Sequence, residues 1–221
     1  MDRTIFNWAA TDALAFDMDG TLWDAVDSYC TIWNNCFKAI GSVHRVARPL
    51  LVNCMGLPLR EILVRITDGD KAIDADSFLA DVSLEEQRLM PKLGGVPYPG
   101  VVEGLQRLAR RYRIFLLSNC GVGGLDNLMN FLGIKTFITE AVTYGETQRN
   151  KAENLRMLVE KYKLEQLVYV GDTDGDCRQT HAAGLPFVFA AYGFGQCKDA
   201  EMDVASFDEL VEKFEKFKRY E

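Results

Sequence analysis

Short apolar runs that end in acidic or hydroxyl residues constrain the fold of this chain more than any other feature. Three such runs lead into the segments Asp17-Met-Asp-Gly-Thr21, Ser118-Asn-Cys-Gly121 and Gly171-Asp-Thr-Asp-Gly-Asp176. Apolar runs of this length, bounded by turn residues, are typical of buried parallel strands. We therefore predict strands over residues 13–16, 113–117 and 167–170, and two further strands over residues 136–139 and 186–190.

Helical patterns separate these predicted strands. Apolar residues recur at helical spacing over residues 101–111, 150–162 and 206–217. In the second of these segments, Leu155, Leu158, Val159 and Tyr162 fall on one face. Strands that alternate with helices indicate an α/β fold with a parallel sheet covered on both faces.

The segment from residue 22 to residue 95 breaks this alternation. It carries two apolar stripes at helical spacing, and it has no apolar run that suits a buried strand. The turn-rich sequence Gly94-Gly-Val-Pro-Tyr-Pro-Gly100 follows it. We therefore predict a helical domain over residues 22–95, inserted into a core domain made of residues 1–21 and 96–221.

Composition and charge exclude several classes of protein. Of the 221 residues, 48% are hydrophobic and 26% are charged, which is typical of a globular chain. The net charge of −7 disfavours binding to nucleic acid.

We expect a cytoplasmic protein without a secretory signal, because residues 1–10 lack a long apolar segment, and no apolar run is long enough to cross a membrane. The six cysteines contain no C-x-x-C pair, so we expect reduced thiols and no structural zinc; nothing in the sequence indicates an oligomeric state.

The polar residues that follow the strands predict one acidic crevice. Ligands of open α/β sheets bind at the carboxyl ends of the strands, where these residues should converge. The candidates are Asp17, Asp19, Ser118, Asn119, Asp172, Asp174 and Asp176. Clustered carboxylates repel one another unless a cation lies among them, and oxygen ligands alone favour Mg²⁺. We predict Asp17 and Asp172 as carboxylate ligands and the backbone carbonyl of Asp19 as a third ligand, with Asp176 as a ligand or a close neighbour of one.

Four motifs, in order along the chain, resemble those of the haloacid dehalogenase-like (HAD) hydrolases. They are Asp17-x-Asp19-Gly20-Thr21, Leu116-Leu-Ser118-Asn119, the lone Lys151, and Val170-Gly-Asp172-Thr-x-x-Asp176. The long insert after the first motif resembles the helical C1 cap of phosphoglycolate phosphatase-like members. The resemblance implies a Rossmann-like parallel-sheet HAD core with a small inserted helical cap domain.

The resemblance also implies a role for each motif residue. Asp17 is then the nucleophile that forms an aspartyl-phosphate, and Asp19 is the acid that protonates the leaving alcohol. Ser118 and the backbone N–H of Asn119 hold the transferring oxygens, and Lys151 offsets their charge. Gly20 and Thr21 complete the substrate-binding set, and Mg²⁺ is held by Asp17, Asp19, Asp172 and Asp176.

Three functions are compatible with these residues. The leading prediction is a Mg²⁺-dependent phosphatase that hydrolyses a small phosphorylated metabolite, with phosphoglycolate-like monoesters as the nearest pattern. A sugar phosphomutase of the β-phosphoglucomutase kind needs the same nucleophile and acid, and so stays open. A non-catalytic phospho-ligand-binding protein on a HAD scaffold should lack one of the motif residues. Dehalogenation is disfavoured, because a halide leaving group needs no acid at the position of Asp19.

Overall fold

The computed structural model describes residues 6–217, which form helices, strands and their connections. The strands are β1 (Ala13–Phe16), β2 (Trp23–Asp24), β3 (Val96–Pro97), β4 (Arg113–Ser118), β5 (Glu140–Thr143), β6 (Leu167–Gly171), β7 (Phe187–Ala190) and β8 (Met202–Val204). The helices are α1 (Val26–Ala39), α2 (Arg48–Val52), α3 (Leu59–Thr67), α4 (Ala75–Leu93), α5 (Val101–Leu108), α6 (Gly124–Leu132), α7 (Tyr144–Thr147), α8 (Lys151–Tyr162), α9 (Asp174–Ala182) and α10 (Phe207–Phe217). Short 3-10 turns lie at Trp8–Ala10 and Lys135–Phe137.

Six of these strands form one parallel sheet in the order β5-β4-β1-β6-β7-β8. Strand β1 lies between β4 and β6, with Phe16 level with Leu116 and Val170. All residues of β1 and β6 are buried, because both faces of the sheet are covered by helices. The α/β fold class is therefore confirmed, and the acidic segments that follow β1 and β6 begin at the same edge of the sheet.

Most predicted elements of the core match the structure, with one clear exception. The strand predicted over residues 136–139 is wrong: a 3-10 turn covers Lys135–Phe137, and β5 begins only at Glu140. Strand β5 is an edge strand that pairs with β4 alone, so its sequence carries less of the apolar signal of a central strand. Phe137 and Ile138, which suggested a strand, pack against the core instead.

The two faces of the sheet have separate apolar cores. On one face, Leu14 and Phe16 pack with residues of α5 and α10. On the other face, Ala13 and Ala15 pack with residues of α8 and α9. The alternation along β1 follows from the strand period of two, which sends neighbouring side chains to opposite faces. None of the helices found between residues 6 and 217 is long and apolar enough to span a membrane.

Helices α1 to α4 form a helical cap that is inserted in the sequence between β1 and the other strands of the sheet. Strand β2 precedes these helices in the sequence and β3 follows them. The two strands pair as a short antiparallel ribbon, with Trp23 opposite Pro97. The cap has its own aromatic core, in which Phe78 stacks on Phe37 with ring centroids 4.5 Å apart and meets Trp33 edge-on at 5.8 Å. The helical content of residues 22–95 agrees with the expected insert, and the domain boundaries at residues 21/22 and 95/96 stay a prediction.

The aromatic core of the cap should contribute measurably to stability. We expect Phe78→Ala to lower the free energy of unfolding by about 3–5 kcal/mol, because it leaves a cavity between Phe37 and Trp33. Leu84→Ala on the same helix is the matched control, since Leu84 is 63% exposed and its truncation should change stability by less than about 0.5 kcal/mol. Urea unfolding of both variants measures the difference. Equal losses would contradict the packing of Phe78 described above.

Candidate active site

The candidate active site lies at the carboxyl edge of the sheet, where three strands and two helices meet. Asp17 follows β1, Ser118 ends β4, and Asp172 follows β6. Lys151 is the first residue of α8, and Asp176 lies in the first turn of α9. All five side chains are buried. The structure therefore brings together residues that are up to 159 positions apart in the sequence.

Lys151 joins two of the carboxylates. Its Nζ atom donates to Asp17 Oδ2 at 2.8 Å and to Asp176 Oδ1 at 2.5 Å. Burial alone would lower the pKa of Lys151, but the charges of Asp17 and Asp176 outweigh it and hold this pKa well above its usual value. The lysine is therefore a fixed positive charge beneath the Asp17 carboxylate.

Asp176 also fixes the start of α9. Its Oδ2 atom accepts hydrogen bonds from the Thr173 backbone N–H at 3.1 Å and from the Thr173 hydroxyl at 2.6 Å. The Thr173 hydroxyl oxygen in turn accepts from the Asp176 backbone N–H, which completes a capping box. The Asp176 carboxylate is therefore oriented by its own helix while it binds Lys151.

Asp17 and Asp172 have raised pKa values because they are buried together. Burial raises the pKa of Asp17 to about 6, with Lys151 opposing the shift and Asp176 adding to it. Burial, with the charges of Asp176 and Asp17, raises the pKa of Asp172 to about 8. Asp172 accepts hydrogen bonds from the Phe194 backbone N–H at 2.8 Å and from the Thr21 hydroxyl at 3.4 Å. These contacts do not balance its negative charge.

Two glycines allow the backbone to approach Asp172. Gly20 has a φ of +80°, and a Cβ atom there would lie 2.1 Å from Asp172 Oδ2. A Cβ atom at Gly193 would lie 2.3 Å from the Cβ of Asp172. No other residue type fits at either position without moving the carboxylate. The loop that contains Gly193 and Phe194 was not among the predicted site residues, although its glycine-rich sequence directly after β7 is the signal that indicates it.

The donor set of this cluster fits a hard divalent cation. Asp17, Asp172 and Asp176 each offer a carboxylate oxygen, and these oxygens lie within 4.8 Å of one another. Lys151 supplies one positive charge against three buried carboxylates, which leaves an excess of negative charge. Oxygen ligands without sulfur or imidazole nitrogen are typical of Mg²⁺ sites. The Asp19 carboxylate lies outside this cluster, so its predicted contribution as a ligand rests on its backbone carbonyl and stays a prediction.

Asp19 instead faces a cavity between the sheet edge and the helical cap. Its Oδ2 atom accepts a hydrogen bond from the Tyr29 hydroxyl at 3.3 Å, and its Oδ1 atom is buried without a partner. Burial, together with the charge of Asp17, raises the pKa of Asp19 well above its usual value. This shift favours the protonated form of Asp19, which is the form that can donate a proton. Tyr29 belongs to a helical stripe that the sequence indicates only as a packing face of the cap.

The other predicted binding residues have defined contacts. Ser118 lines the cavity, and its Oγ atom accepts from the Cys120 backbone N–H at 3.4 Å. Asn119 also lines it, but its side chain donates to the Gly56 carbonyl at 2.8 Å and so links the core to the cap.

Thr21 is buried against Asp172 and does not line the cavity. Asp174 is exposed and ion-paired with Arg178. The substrate-binding roles of Gly20, Thr21, Ser118, Asn119 and Lys151 stay predictions.

The cavity takes its floor from the core and its walls from the cap. The floor contains Asp17, Asp19, Ser118 and Asn119. The walls include the apolar residues Trp33, Leu51, Met55, Leu57, Leu59, Ile62 and Met90. A ligand with one end at Asp17 would therefore place its other end among side chains of the cap.

The chain resembles proteins of known family over most of its length. It is 24% identical to a phosphoglycolate phosphatase of Nitrosospira multiformis over 201 residues, which cover 86% of this chain and 88% of that protein. It is 25% identical to a phosphoglycolate phosphatase of Rhodobacter capsulatus over 206 residues, which cover 82% and 85% of the two chains. A crystal structure described as a predicted phosphoglycolate phosphatase from Haemophilus somnus has the same fold, with a TM-score of 0.81 at 18% identity, covering 92% of this chain and 98% of that chain.

The family model described as haloacid dehalogenase-like hydrolase matches residues 14–190. This range begins within β1, ends with β7, and contains all four motifs and the helical cap. The chain therefore belongs to the haloacid dehalogenase-like hydrolases.

Proposed function

We propose that this HAD-type phosphatase hydrolyses a small organic phosphate monoester with the help of Mg²⁺ and through an aspartyl-phosphate at Asp17. The observation that carries the proposal is the contrast between Asp17 and Asp19. Asp17 is ion-paired with Lys151, whereas Asp19 has a strongly raised pKa and no cationic partner among residues 6–217, and both line one cavity. Two carboxyl groups whose environments separate their pKa values in this way suit a nucleophile and a general acid.

In the first step, a carboxylate oxygen of Asp17 attacks the phosphorus atom, and the bond between phosphorus and the ester oxygen breaks. Asp19 donates its proton to the departing ester oxygen, which leaves as an alcohol. Lys151 remains hydrogen-bonded to the Asp17 side chain and offsets the charge on the phosphoryl group. Ser118, at the end of β4, is placed to donate a hydrogen bond to a phosphoryl oxygen.

In the second step, Asp19 accepts a proton from a water molecule that enters after the alcohol has left. The water oxygen attacks phosphorus, the bond to Asp17 breaks, and inorganic phosphate is released with both carboxyl groups returned to their starting states. Asp17, Asp172 and Asp176 would hold Mg²⁺, with the Asp19 backbone carbonyl as a further ligand. The bound cation would supply positive charge that reduces the repulsion between these carboxylates and the anionic substrate.

Hydrolysis fits the cavity better than a sugar phosphomutase reaction. A mutase must hold a second phosphate group in the half of the cavity that the cap provides, and basic side chains are common ligands of phosphate groups. The residues that line this cavity include no lysine, arginine or histidine in the part of the chain that the structure describes. We therefore propose release of phosphate to water.

Replacing the nucleophile tests the covalent mechanism. We expect Asp17→Asn to lower turnover of 4-nitrophenyl phosphate at least about a thousandfold, because an amide cannot form the aspartyl-phosphate. Asp174→Asn is the matched control, since it removes one negative charge from the exposed start of α9 and should leave turnover within about twofold. Near wild-type turnover by the Asp17→Asn variant would show that the mechanism is wrong.

Removal of divalent metal tests whether phosphate release requires Mg²⁺. We expect chelation to abolish phosphate release and added Mg²⁺ to restore it. Asp172→Asn should raise the Mg²⁺ concentration needed for half-maximal activity by at least about tenfold, because it removes a carboxylate from the cluster. Titration of activity with Mg²⁺ for both proteins measures this change. Full activity of the chelated wild-type protein would contradict the proposed cofactor.

The leaving group tests the role of Asp19. We expect Asp19→Asn to lower kcat/KM for an alkyl phosphate by about 10²–10⁴-fold, because an alkoxide leaves slowly without a proton. The loss should be at least about tenfold smaller for 4-nitrophenyl phosphate, whose phenolate leaves without protonation. Steady-state kinetics with ethyl phosphate and 4-nitrophenyl phosphate measure the two effects. Equal losses on both substrates would remove Asp19 from the role of general acid.

A further inference from the structure

Glu86 occupies a position in helix α4 where the sequence pattern calls for an apolar residue. Phe78, Val82 and Met90 are the buried hydrophobic residues of this helix, and they are spaced at multiples of four positions. Glu86 falls on the same stripe, between Val82 and Met90. Its side chain lines the cavity above Asp17 and Asp19. The cap therefore presents a carboxylate to the space that the substrate's leaving group would occupy.

This carboxylate has no partner within residues 6–217. Glu86 makes neither a hydrogen bond nor an ion pair there, whereas the adjacent Glu85 is bound by Arg88 and Asn35. Burial raises the pKa of Glu86 to about 7, and no neighbouring cation opposes the shift. Glu86 is half-buried, and a partly desolvated carboxylate without a counter-charge is unfavourable unless a ligand supplies one.

Two arginines of the cap are engaged elsewhere. Arg48 pairs with Asp24 and Asp27, and Arg60 pairs with Asp76. None of the residues that line the cavity in the described structure is a lysine, an arginine or a histidine, and its carboxyl groups are those of Asp17, Asp19 and Glu86. A leaving group that carries a carboxylate would therefore lie near the Glu86 carboxylate, and no cationic side chain that lines the cavity would bind the leaving group.

The remaining walls of the cavity are largely apolar. Trp33, Leu51, Ile62 and Met90 line the same cavity as Glu86. Electrostatic attraction between a cation and a carboxylate is stronger in such an environment than in bulk water. The tryptophan also offers an aromatic ring, which attracts cations.

We propose that Glu86 selects substrates whose leaving alcohol has an apolar body and a positively charged amino group. This inference rests on the proposed phosphatase function and names the class of monoester on which it acts. The phosphate binds at Asp17, and the ammonium donates hydrogen bonds to the Glu86 carboxylate between the apolar walls. Glu86 is thereby a specificity-determining residue that contacts substrate and takes no part in the transfer of the phosphoryl group.

The same geometry disfavours 2-phosphoglycolate, the substrate in the name of the relatives described above. Its leaving group, glycolate, carries a carboxylate that would be directed toward the cap. In this chain that carboxylate would lie in the same cavity as Glu86, and like charges that are partly shielded from water repel each other. The wall that faces the leaving group would therefore have to differ in a protein adapted to that substrate.

Three phosphate esters of equal size test the proposal. They are 4-(aminomethyl)phenyl phosphate, 4-ethylphenyl phosphate and 4-carboxyphenyl phosphate, whose substituents are cationic, neutral and anionic. We expect the wild-type enzyme at pH 8, where Glu86 is ionised, to give kcat/KM values in that order, with at least about a tenfold difference between the cationic and neutral esters. Phosphate release from each ester and from 2-phosphoglycolate is measured with Mg²⁺ present.

Glu86→Gln then isolates the contribution of the carboxylate. We expect this variant to lose the preference for the cationic ester over the neutral ester, to keep its kcat/KM for the neutral ester within about threefold, and to gain activity on the anionic ester. Glu61→Gln is the matched control, because Glu61 is an exposed residue of the same cap that does not line the cavity. It removes the same charge and should leave the preference unchanged. Thermal unfolding of both variants checks that each one is folded.

The outcomes separate this inference from the function on which it rests. Hydrolysis of all three esters without a preference that depends on Glu86, or with the anionic ester or 2-phosphoglycolate preferred, overturns the inference and leaves the phosphatase in place. Failure to hydrolyse these esters and 4-nitrophenyl phosphate with Mg²⁺ overturns the proposed function itself. A cationic preference that Glu86→Gln removes and Glu61→Gln retains supports both.

Discussion

The arrangement of the site depends on the ion pairs of Lys151 with Asp17 and Asp176. These three side chains come from the end of β1, the start of α8 and the first turn of α9, and all are buried. Removing a charge from water is unfavourable, so each of them is stable in its ionised form only while the others are in place. The contact therefore fixes two helices against the central strand. It also sets the ionisation of Asp17, whose raised pKa of about 6 still leaves it mainly anionic at neutral pH.

Asp172 completes the site through its close contact with the backbone. Gly20 and Gly193 approach it from two loops, and neither position has room for a Cβ atom. The Phe194 backbone N–H fixes one carboxylate oxygen, but no cationic side chain is paired with Asp172 within the described residues. A rigid carboxylate held in this way cannot turn away from the negative charges of Asp17 and Asp176. A divalent cation among the three carboxylates would reduce this repulsion.

The sequence predicts this edge of the sheet well because its signals are local. Each of the strands β1, β4 and β6 is largely apolar and has a polar residue at or just after its carboxyl end, and parallel strands must bring these ends together. The family resemblance is confirmed by the family model that matches residues 14–190, and three of its four motifs lie at these strand ends. Strand β5 was placed too early, since an edge strand has a weaker apolar pattern and its register depends on β4. Strand β8 is shorter still, and it has only β7 as a neighbour.

Residues that face the site from other elements were harder to predict. Gly193 and Phe194 act on Asp172 through the backbone, and backbone contacts leave little trace in the sequence. Tyr29 belongs to an apolar helical stripe, and its hydroxyl meets Asp19 only after the cap has folded over β1. Long-range placement of this kind depends on packing, which helical periodicity cannot report.

Glu86 illustrates the proposed separation of phosphoryl transfer, by residues of the core, from substrate selection, by residues of the cap. The residues proposed to handle the phosphoryl group all come from the sheet edge, where their positions are fixed by strand register and buried ion pairs. The cap contributes apolar walls, the Glu86 carboxylate and the Tyr29 hydroxyl that donates to Asp19, and the proposed transfer of the phosphoryl group uses neither the walls nor Glu86. A leucine at position 86 would continue the stripe of Phe78, Val82 and Met90 and would avoid the desolvation of a charge. A local departure from the pattern that is unfavourable for stability is most simply explained by binding. In this site the missing partner of Glu86 is a positive charge, and the leaving group is the part of the substrate that can bring it.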